Sequence, residues 1–303
     1  MTNMGTKQRR GTIMVATAVV AGLALTGCGS SSLNTGNKSA NVSTGVDAAA
    51  AALVPQAVKD KGTLTVGTDA SYAPSEFLGG DGKTIQGFDI DLFTAVAKKL
   101  GLHVQFQNAS FDTIITGVLG KKYDVGVSSF TVNTDREKQV NMVSYFSAGT
   151  QWATAAGNPK NVNPDKPCGL TVAVQKGTVQ LQSDLPPKQK ACNKAGKPIN
   201  VLVYDKQDAA TAAVATGKAD AMLADSPVVA YAVKQSGGKL VAAGAIYDAA
   251  PYGYVIPKDE IGLANAIVAA LRSLEASGDY KKVLDAWGVS AGASTSFAAN
   301  PVS

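Results

Sequence analysis

The residues best suited to chemistry lie between Ser128 and Arg136, where the chain reads Ser-Ser-Phe-Thr-Val-Asn-Thr-Asp-Arg. This run leaves an apolar strand expected at Val125–Val127, and loops at the carboxyl ends of strands are where open α/β sheets hold ligands. Hydroxyls followed by one guanidinium suit a small anionic group. A planar guanidinium can donate two parallel hydrogen bonds to a carboxylate; the plainer alternative pairs Arg136 with Asp135 or Glu137 on a solvated helix start. Thr178, after Gly177, offers a hydroxyl and an amide where a helix should begin and an anion is favoured, or it serves as ordinary turn chemistry. Asp225 follows apolar Ala221–Ala224 and precedes Ser226-Pro227, a position where an aspartate commonly caps a helix.

Several other chemistries fail on residue type or spacing. His103, the single histidine, follows Gly101-Leu102 at the start of a strand, where a structural role is expected, and one histidine makes no histidine metal cluster. Gly82-Lys83-Thr84 looks like the end of a phosphate-binding loop. Phe77 stands where that loop needs glycine, so this is a hairpin turn. Asp89 and Asp91 straddle a strand-to-helix junction and should point apart, so they make no acid–base pair.

Strands and helices must alternate to position these groups, which argues α/β architecture. Leu92, Phe93, Val96, Ala97 and Leu100 recur at helical spacing over Asp91–Leu100, and Val104 and Phe106 alternate as in a strand. Thr63–Thr68 opens as a strand. Phe77–Leu78 and Thr84–Gln86 should pair across Gly79–Gly82. A second series follows: strand Leu170–Val174, helix Val179–Cys192, strand Ile199–Tyr204, helix Asp208–Thr216, strand Ala221–Ala224, helix Val228–Gln235 and a strand near Leu240–Ala242. Strand Tyr252–Ile256 and helices Leu263–Ala276 and Tyr280–Ala286 close the chain.

The ends read differently. Lys7, Arg9 and Arg10 precede an apolar run from Ile13 to Leu25, which is short for a membrane span, and then Leu-Thr-Gly-Cys28. This looks like a bacterial lipoprotein signal over 1–27, with Cys28 acylated; an ordinary cleaved signal is the alternative. Arg9-Arg10 leaves general and twin-arginine export both open. Residues 28–60 read as a flexible tether and 290–303 as a flexible tail. Of the formal +5 charge, three positives sit in the signal, leaving +2. Charges are mixed and aromatics do not alternate with basic residues, so no nucleic acid is expected. In an exported protein the remaining cysteines, Cys168 and Cys192, should form a disulfide; free thiols are the alternative.

From about Gly62 to Trp287 the chain resembles the periplasmic-type solute-binding proteins for polar amino acids (family 3), the extracellular receptors of ABC importers. The resemblance rests on GFDIDLFTAVAKKLGL from Gly87 and the run ending at Arg136. It also rests on GTDASYAP (Gly67–Pro74), VQKGTVQ (Val174–Gln180) and ADAMLADSP (Ala219–Pro227), in that order behind a lipoprotein signal. It implies a two-lobe, Venus-flytrap α/β fold with a two-segment hinge near Trp152 and Pro251. Residues 61–152 and 251–289 would form one lobe and 153–250 the other.

The resemblance also implies a ligand set. Arg136 would take an α-carboxylate, helped by Ser129, Thr131 and Thr178, and Asp225 an α-ammonium. Tyr72 and Phe111 would sandwich the ligand, and Asp69 and Ser128 would meet the polar end of its side chain. The ligand is expected to be a basic L-α-amino acid, with a neutral one such as glutamine as the alternative, because glutamine receptors also carry an acid at the position of Asp69. Ser75 departs from the family's usual aromatic, and Gln175-Lys176 departs before the glycine. Glu76 could charge the pocket or lie on an exposed strand, and whether it or Trp152 lines the pocket is open. The implied protein is a monomer, lipid-anchored to the outer face of the cell membrane. It needs no cofactor or metal and serves a permease and a separate ATPase. A dehydratase-like enzyme on the same fold and a sensor subunit are the rival readings; the latter would need a partner, since no membrane helix or signalling domain ends the chain.

Overall fold

The computed structural model describes residues 40, 42 and 44–302. The signal segment, Cys28 and residues 29–39, 41 and 43 of the expected tether lie outside the described residues. Two short helices come first, α1 (Ala48–Ala52) and α2 (Gln56–Lys61). They are followed by β1 (Thr63–Thr68), β2 (Ser71–Tyr72), β3 (Glu76–Leu78), β4 (Ile85–Gln86), α3 (Phe88–Lys99), β5 (His103–Asn108), α4 (Phe111–Leu119), β6 (Val125–Thr131), α5 (Thr134–Glu137) and β7 (Asn141–Ala155). The remainder comprises β8 (Thr171–Gln175), α6 (Leu185–Lys194), β9 (Asn200–Tyr204), α7 (Gln207–Ala215), β10 (Ala221–Asp225), α8 (Ser226–Gln235), β11 (Leu240–Ile256), α9 (Ile261–Ala276) and α10 (Asp279–Trp287).

Eight strands form one mixed sheet in the order β5-β1-β6-β11-β7-β10-β8-β9, and β2-β3-β4 make a small separate sheet. β1 is parallel to β5 and β6, and β8 is parallel to β9 and β10. Between these two parallel wings run β7 and β11, antiparallel to each other over most of their lengths. This is the two-lobe α/β architecture: two wings, each with its strand ends facing a shared cleft, joined by the long pair. Leu240–Ala242 and Tyr252–Ile256, expected as separate strands, are the two ends of β11. Register shifts between Ala243 and Tyr247, and between Tyr247 and Ala250, hid their continuity from any period-2 pattern.

The wings are packed differently. The first has a core of large side chains, with Phe88, Phe93, Tyr145, Phe146, Tyr252 and Tyr254 buried beside α9. On α9, Leu263, Ala264, Ile267, Ala270, Leu271 and Leu274 recur at three- and four-residue spacing and are buried, as an apolar helical stripe should be. The second wing has two smaller clusters, one rich in alanine (Ala153, Ala173, Ala210, Ala213 and Ala224) and one around Trp152, Leu185 and Leu223. Cys168 and Cys192 form the disulfide there, closing a sequence separation of 24 residues.

Two expectations about the ends are corrected. Within the expected tether, Asp47 caps α1 by accepting from the amides of Ala49 and Ala50, and Ala50 and Val54 are buried against the first wing. Alanine is a strong helix former, and a sequence poor in bulky residues can still fold when a neighbour supplies the apolar surface. Within the expected tail, Phe297 is buried and meets Tyr280 edge-on at 5.2 Å. Asn300 bonds both the amide and the carbonyl of Met142, and Val143 bridges Ala299. One aromatic plus backbone pairing to a strand suffices to dock the segment. The expected helix Val179–Cys192 also begins as a wider π-type turn over Gln180–Asp184. Pro186 and Pro187 supply no amide to the carbonyls four residues earlier, so regular helical bonding cannot run through.

Candidate functional site

The site is built where β1, β6, β8 and β10 end at the cleft. β6 delivers Ser128 and Ser129, and Ser129 lies in the left-handed region at φ 51°. That conformation costs a non-glycine residue on the order of 1–3 kcal/mol and needs holding in place. Asp89, buried in the first turn of α3, holds it by accepting from both the amide (3.0 Å) and the hydroxyl (3.1 Å) of Ser129. Tyr145 donates to the same carboxylate at 2.6 Å. Gly87 (φ 146°) lets α3 start here, because a Cβ would lie 2.0 Å from the Ser75 carbonyl oxygen. Asp91 points elsewhere, as expected, and accepts from Trp287 Nε1.

Past Thr131 the chain turns into α5, where the Asn133 side chain accepts from the Arg136 amide at 2.9 Å. The guanidinium donates from Nη1 to the Thr131 carbonyl (2.7 Å) and from Nη2 to the Gly177 carbonyl across the cleft (3.2 Å). It lies over the rings of Phe111 and Phe130, 5.7 and 5.5 Å from their centroids, and these rings stack on each other at 4.6 Å. Arg136 is only 7% exposed and makes no ion pair among the described residues; the solvated pairing with Asp135 or Glu137 is not what the fold builds. Burial lowers its pKa to about 10, an effect that attraction from Asp225 opposes, so it stays charged at neutral pH. Gly177 (φ 79°) allows the close approach, since a Cβ there would lie 2.9 Å from Asp112 Cβ.

Asp69 ends β1, buried. Its Oδ2 accepts from the Phe111 amide (3.1 Å) and from Gln175 Nε2 across the cleft (2.8 Å), and its own amide donates to Ser128 Oγ at 3.1 Å. Burial raises its pKa, with the Asp208 charge adding to the shift. Asp225 occupies the capping position of α8, yet its side chain caps nothing. Instead Oδ2 accepts from the Tyr72 hydroxyl (2.8 Å) and Oδ1 from Gln180 Nε2 (2.7 Å). Burial raises its pKa too, against the lowering effect of these bonds and of Arg136. Gln180 also reaches Thr150 Oγ1 at 3.1 Å.

The fold links Asp69 to Ser128, to the Phe111 amide and across the wings to Gln175, and Tyr72 across the wings to Asp225; of the expected residues, Phe111, Thr131 and Arg136 line the open cleft, and Ser129 is turned to Asp89. The hydroxyl of Thr178 is engaged locally, donating to the Gln175 carbonyl and accepting from the Leu181 amide. Tyr72 reaches Asp225, and Phe111 stacks on Phe130. Trp152 packs in the second wing's core and donates to Tyr247 at 2.7 Å. Glu76 is fully buried, so the exposed-strand alternative fails. A cleft of about 1060 Å³ opens beside Arg136, between Phe111 and Thr116 on one wall and Gly177 and Gln182 on the other.

Sequence reasoning passed over Gln180 and Phe130, and noted Gln175 only as a departure from the family pattern. Gln175 and Gln180 flank Gly177 within the quoted VQKGTVQ, and that placement at a strand end was the available signal. Among the described residues no group of three or more His, Cys, Asp or Glu could hold a metal ion, and no helix is long and apolar enough to cross a membrane.

The chain is similar to the arginine-binding protein ArgT of Corynebacterium glutamicum, 38% identical over 80% of this chain and 79% of that one. Among solved structures it is similar to an ancestral arginine-binding protein bound to arginine (TM-score 0.69, 33% identity, 75% of this chain and 98% of that one). It is also similar to the ancestral amino acid-binding protein AncCDT-1, a precursor of cyclohexadienyl dehydratase (TM-score 0.68, 31% identity, 76% and 97%). Residues 64–290 match a family model, and on that span the chain belongs to the bacterial extracellular solute-binding proteins, family 3.

Proposed function

We propose that this protein is a receptor that closes on a basic L-α-amino acid, with arginine the first candidate, and delivers it to an ABC importer. One observation carries the reading: Arg136 and Asp225 are both buried at the cleft, on opposite wings, each held by neutral partners rather than by an opposite charge. A zwitterion complements such a pair, its carboxylate taking the forked guanidinium and its ammonium the aspartate. Asp69 would meet a cationic side chain, with Tyr72 and Phe111 flanking the aliphatic stem. The arginine-binding names of similar proteins favour a guanidinium over an amide.

Closure would turn on the crossings near Trp152 and Pro251, with 61–152 and 251–289 moving against 153–250. Ligand contacts from both wings would favour the closed state, since the open state offers only part of them. Export and acylation at Cys28 would hold the receptor at the outer face of the cell membrane, beside its permease. The rival reading, an enzyme, draws on the likeness to a dehydratase precursor; the Asp225–Arg136 pairing favours an α-amino acid over a cyclic acid.

A thermal-shift screen of the full chain, freed of co-purified ligand by unfolding and refolding, tests this. Arginine, lysine or ornithine should raise Tm, because a ligand that binds only the folded state stabilises it. A shift with glutamine alone would keep the receptor and discard the basic specificity. No shift with any amino acid would defeat the reading.

A further inference from the structure

The matched family span ends at residue 290, yet the chain beyond it is built into the first wing, against the turn that carries the ligand anchor. Phe297 fixes the middle of this segment: its ring is buried and its carbonyl accepts from Arg272 Nη2 at 3.2 Å. On either side the backbone follows β7, bridging Phe146 through Ala293 and Val143 through Ala299, while Ser144 and Ala298 exchange two bonds of 2.9 and 3.0 Å. The last residues then reach the turn between α5 and β7. Asn300 Nδ2 donates to Asn141 Oδ1 at 3.0 Å, and its Oδ1 accepts from the Met142 amide at 2.9 Å. The Val302 amide donates to Glu137 Oε1 at 3.3 Å.

We propose that residues 293–302 form a strap that positions the ligand-anchoring guanidinium: gripping Glu137 and Asn141–Met142, it holds the one-turn helix α5, and through it Arg136, ready for the ligand carboxylate. This rests on the amino-acid reading above. A single helical turn has little stability of its own, because nucleation fixes several residues for one bond. α5 is four residues long, so its geometry comes from what surrounds it. Asn133 secures its start. Its end is secured through the turn at 137–141, where the Arg136 carbonyl accepts from the Gln139 and Val140 amides (2.9 and 3.0 Å). The strap grips that turn at both ends. Asn141, which Asn300 bonds, donates in its turn to the Pro257 and Lys258 carbonyls (2.8 and 3.1 Å), and Lys258 Nζ returns to the Glu137 carbonyl at 2.5 Å. These bonds close a ring around the residues that follow Arg136. Glu137 is 1% exposed, so water competes little for them. A guanidinium held in place before binding spares the ligand the cost of ordering it.

Calorimetry of the full chain with L-arginine and its neutral isostere L-citrulline, which share the α-carboxylate, tests this beside hydrogen exchange of the ligand-free protein. Asn300→Gly removes both side-chain bonds and keeps the turn, since glycine takes the left-handed φ of 52° freely. It should weaken both ligands by the same factor, about two- to tenfold, the cost of ordering one long side chain on binding. Exchange at the Gln139 and Val140 amides should speed up. Asn300→Asp, which loses only the donor to Asn141, should shift both readouts the same way. Val283→Ala, a cavity in the same core, should lower Tm at least as far and leave both affinities unchanged. Undiminished affinity in Asn300→Gly, an equal loss in Val283→Ala, or a loss confined to arginine would each overturn the strap. Failure of the unaltered chain to bind any amino acid would overturn the receptor reading instead. Faster exchange in Asn300→Gly would then still support the hold on α5, and unchanged exchange would overturn it.

Discussion

The two wings face the same cleft with different chemistry. The first brings Arg136 and Asp69, and behind Ser128 and Ser129 it buries two further acids, Glu76 and Asp89. The second brings one buried charge, Asp225, together with the side-chain amides of Gln175 and Gln180, and lines the cleft with the charges of Asp184, Lys188 and Asp248. Their interiors differ in the same way. The first has one large aromatic core, wrapped by residues 44–61 and by the segment through Phe297 and Asn300; the second has two smaller cores, one rich in alanine and one around Trp152, and a disulfide. Buried charges need partners fixed in place. The wing that carries most of them is also the one most heavily packed, and the other can offer adaptable neutral dipoles.

The comparison predicts unequal responses. Arg136→Ala should give the largest change, weakening amino-acid binding by about 3 kcal/mol or more, over a hundredfold, because it leaves the ligand carboxylate buried without a cation. Calorimetry with a circular-dichroism melt checks it; full affinity would remove the first wing's central role. Replacing Cys168 and Cys192 with serine should cost about 3 kcal/mol of stability in the chain-entropy account. Hydrogen exchange should then rise in β8–β10 and α6, and equal loosening of α3 and α9 would break the contrast between wings.

Asp69→Asn should cost arginine about 1.5–3 kcal/mol and leave citrulline nearly unaffected. The acid form of Asp69 competes with the ligand, and its pKa is raised by burial. Arginine affinity should therefore be full above that raised pKa and fall as pH drops through it, by up to tenfold per unit. The side-chain amide of that variant does not titrate, so a matching pH profile would show that another group is responsible.

Much of this was legible in the chain. Val125–Val127, the spacing of α9 and the strand before Asp225 announced their elements through apolar period alone, and the hydroxyl-rich run to Arg136 stood out as a polar strand end that the fold turns toward Gly177 of the other wing. The docked ends were not legible, because Ala50 and Phe297 are buried only by surface that other segments supply. Gln175 and Gln180 gave no periodic signal, since one amide among many polar residues acquires meaning only from the acid opposite it.

The sequence by itself determined the types of the groups and the order in which strands deliver them, because local periodicity and turn chemistry act over a few residues. Tertiary structure alone decided their partners. Tyr72 meets Asp225 across 153 positions, Gln175 meets Asp69 across 106 and Glu76 meets Ser128 across 52. No local preference spans such separations. Burial, which sets both the protonation of these acids and the strength of their bonds, exists only once the wings have come together.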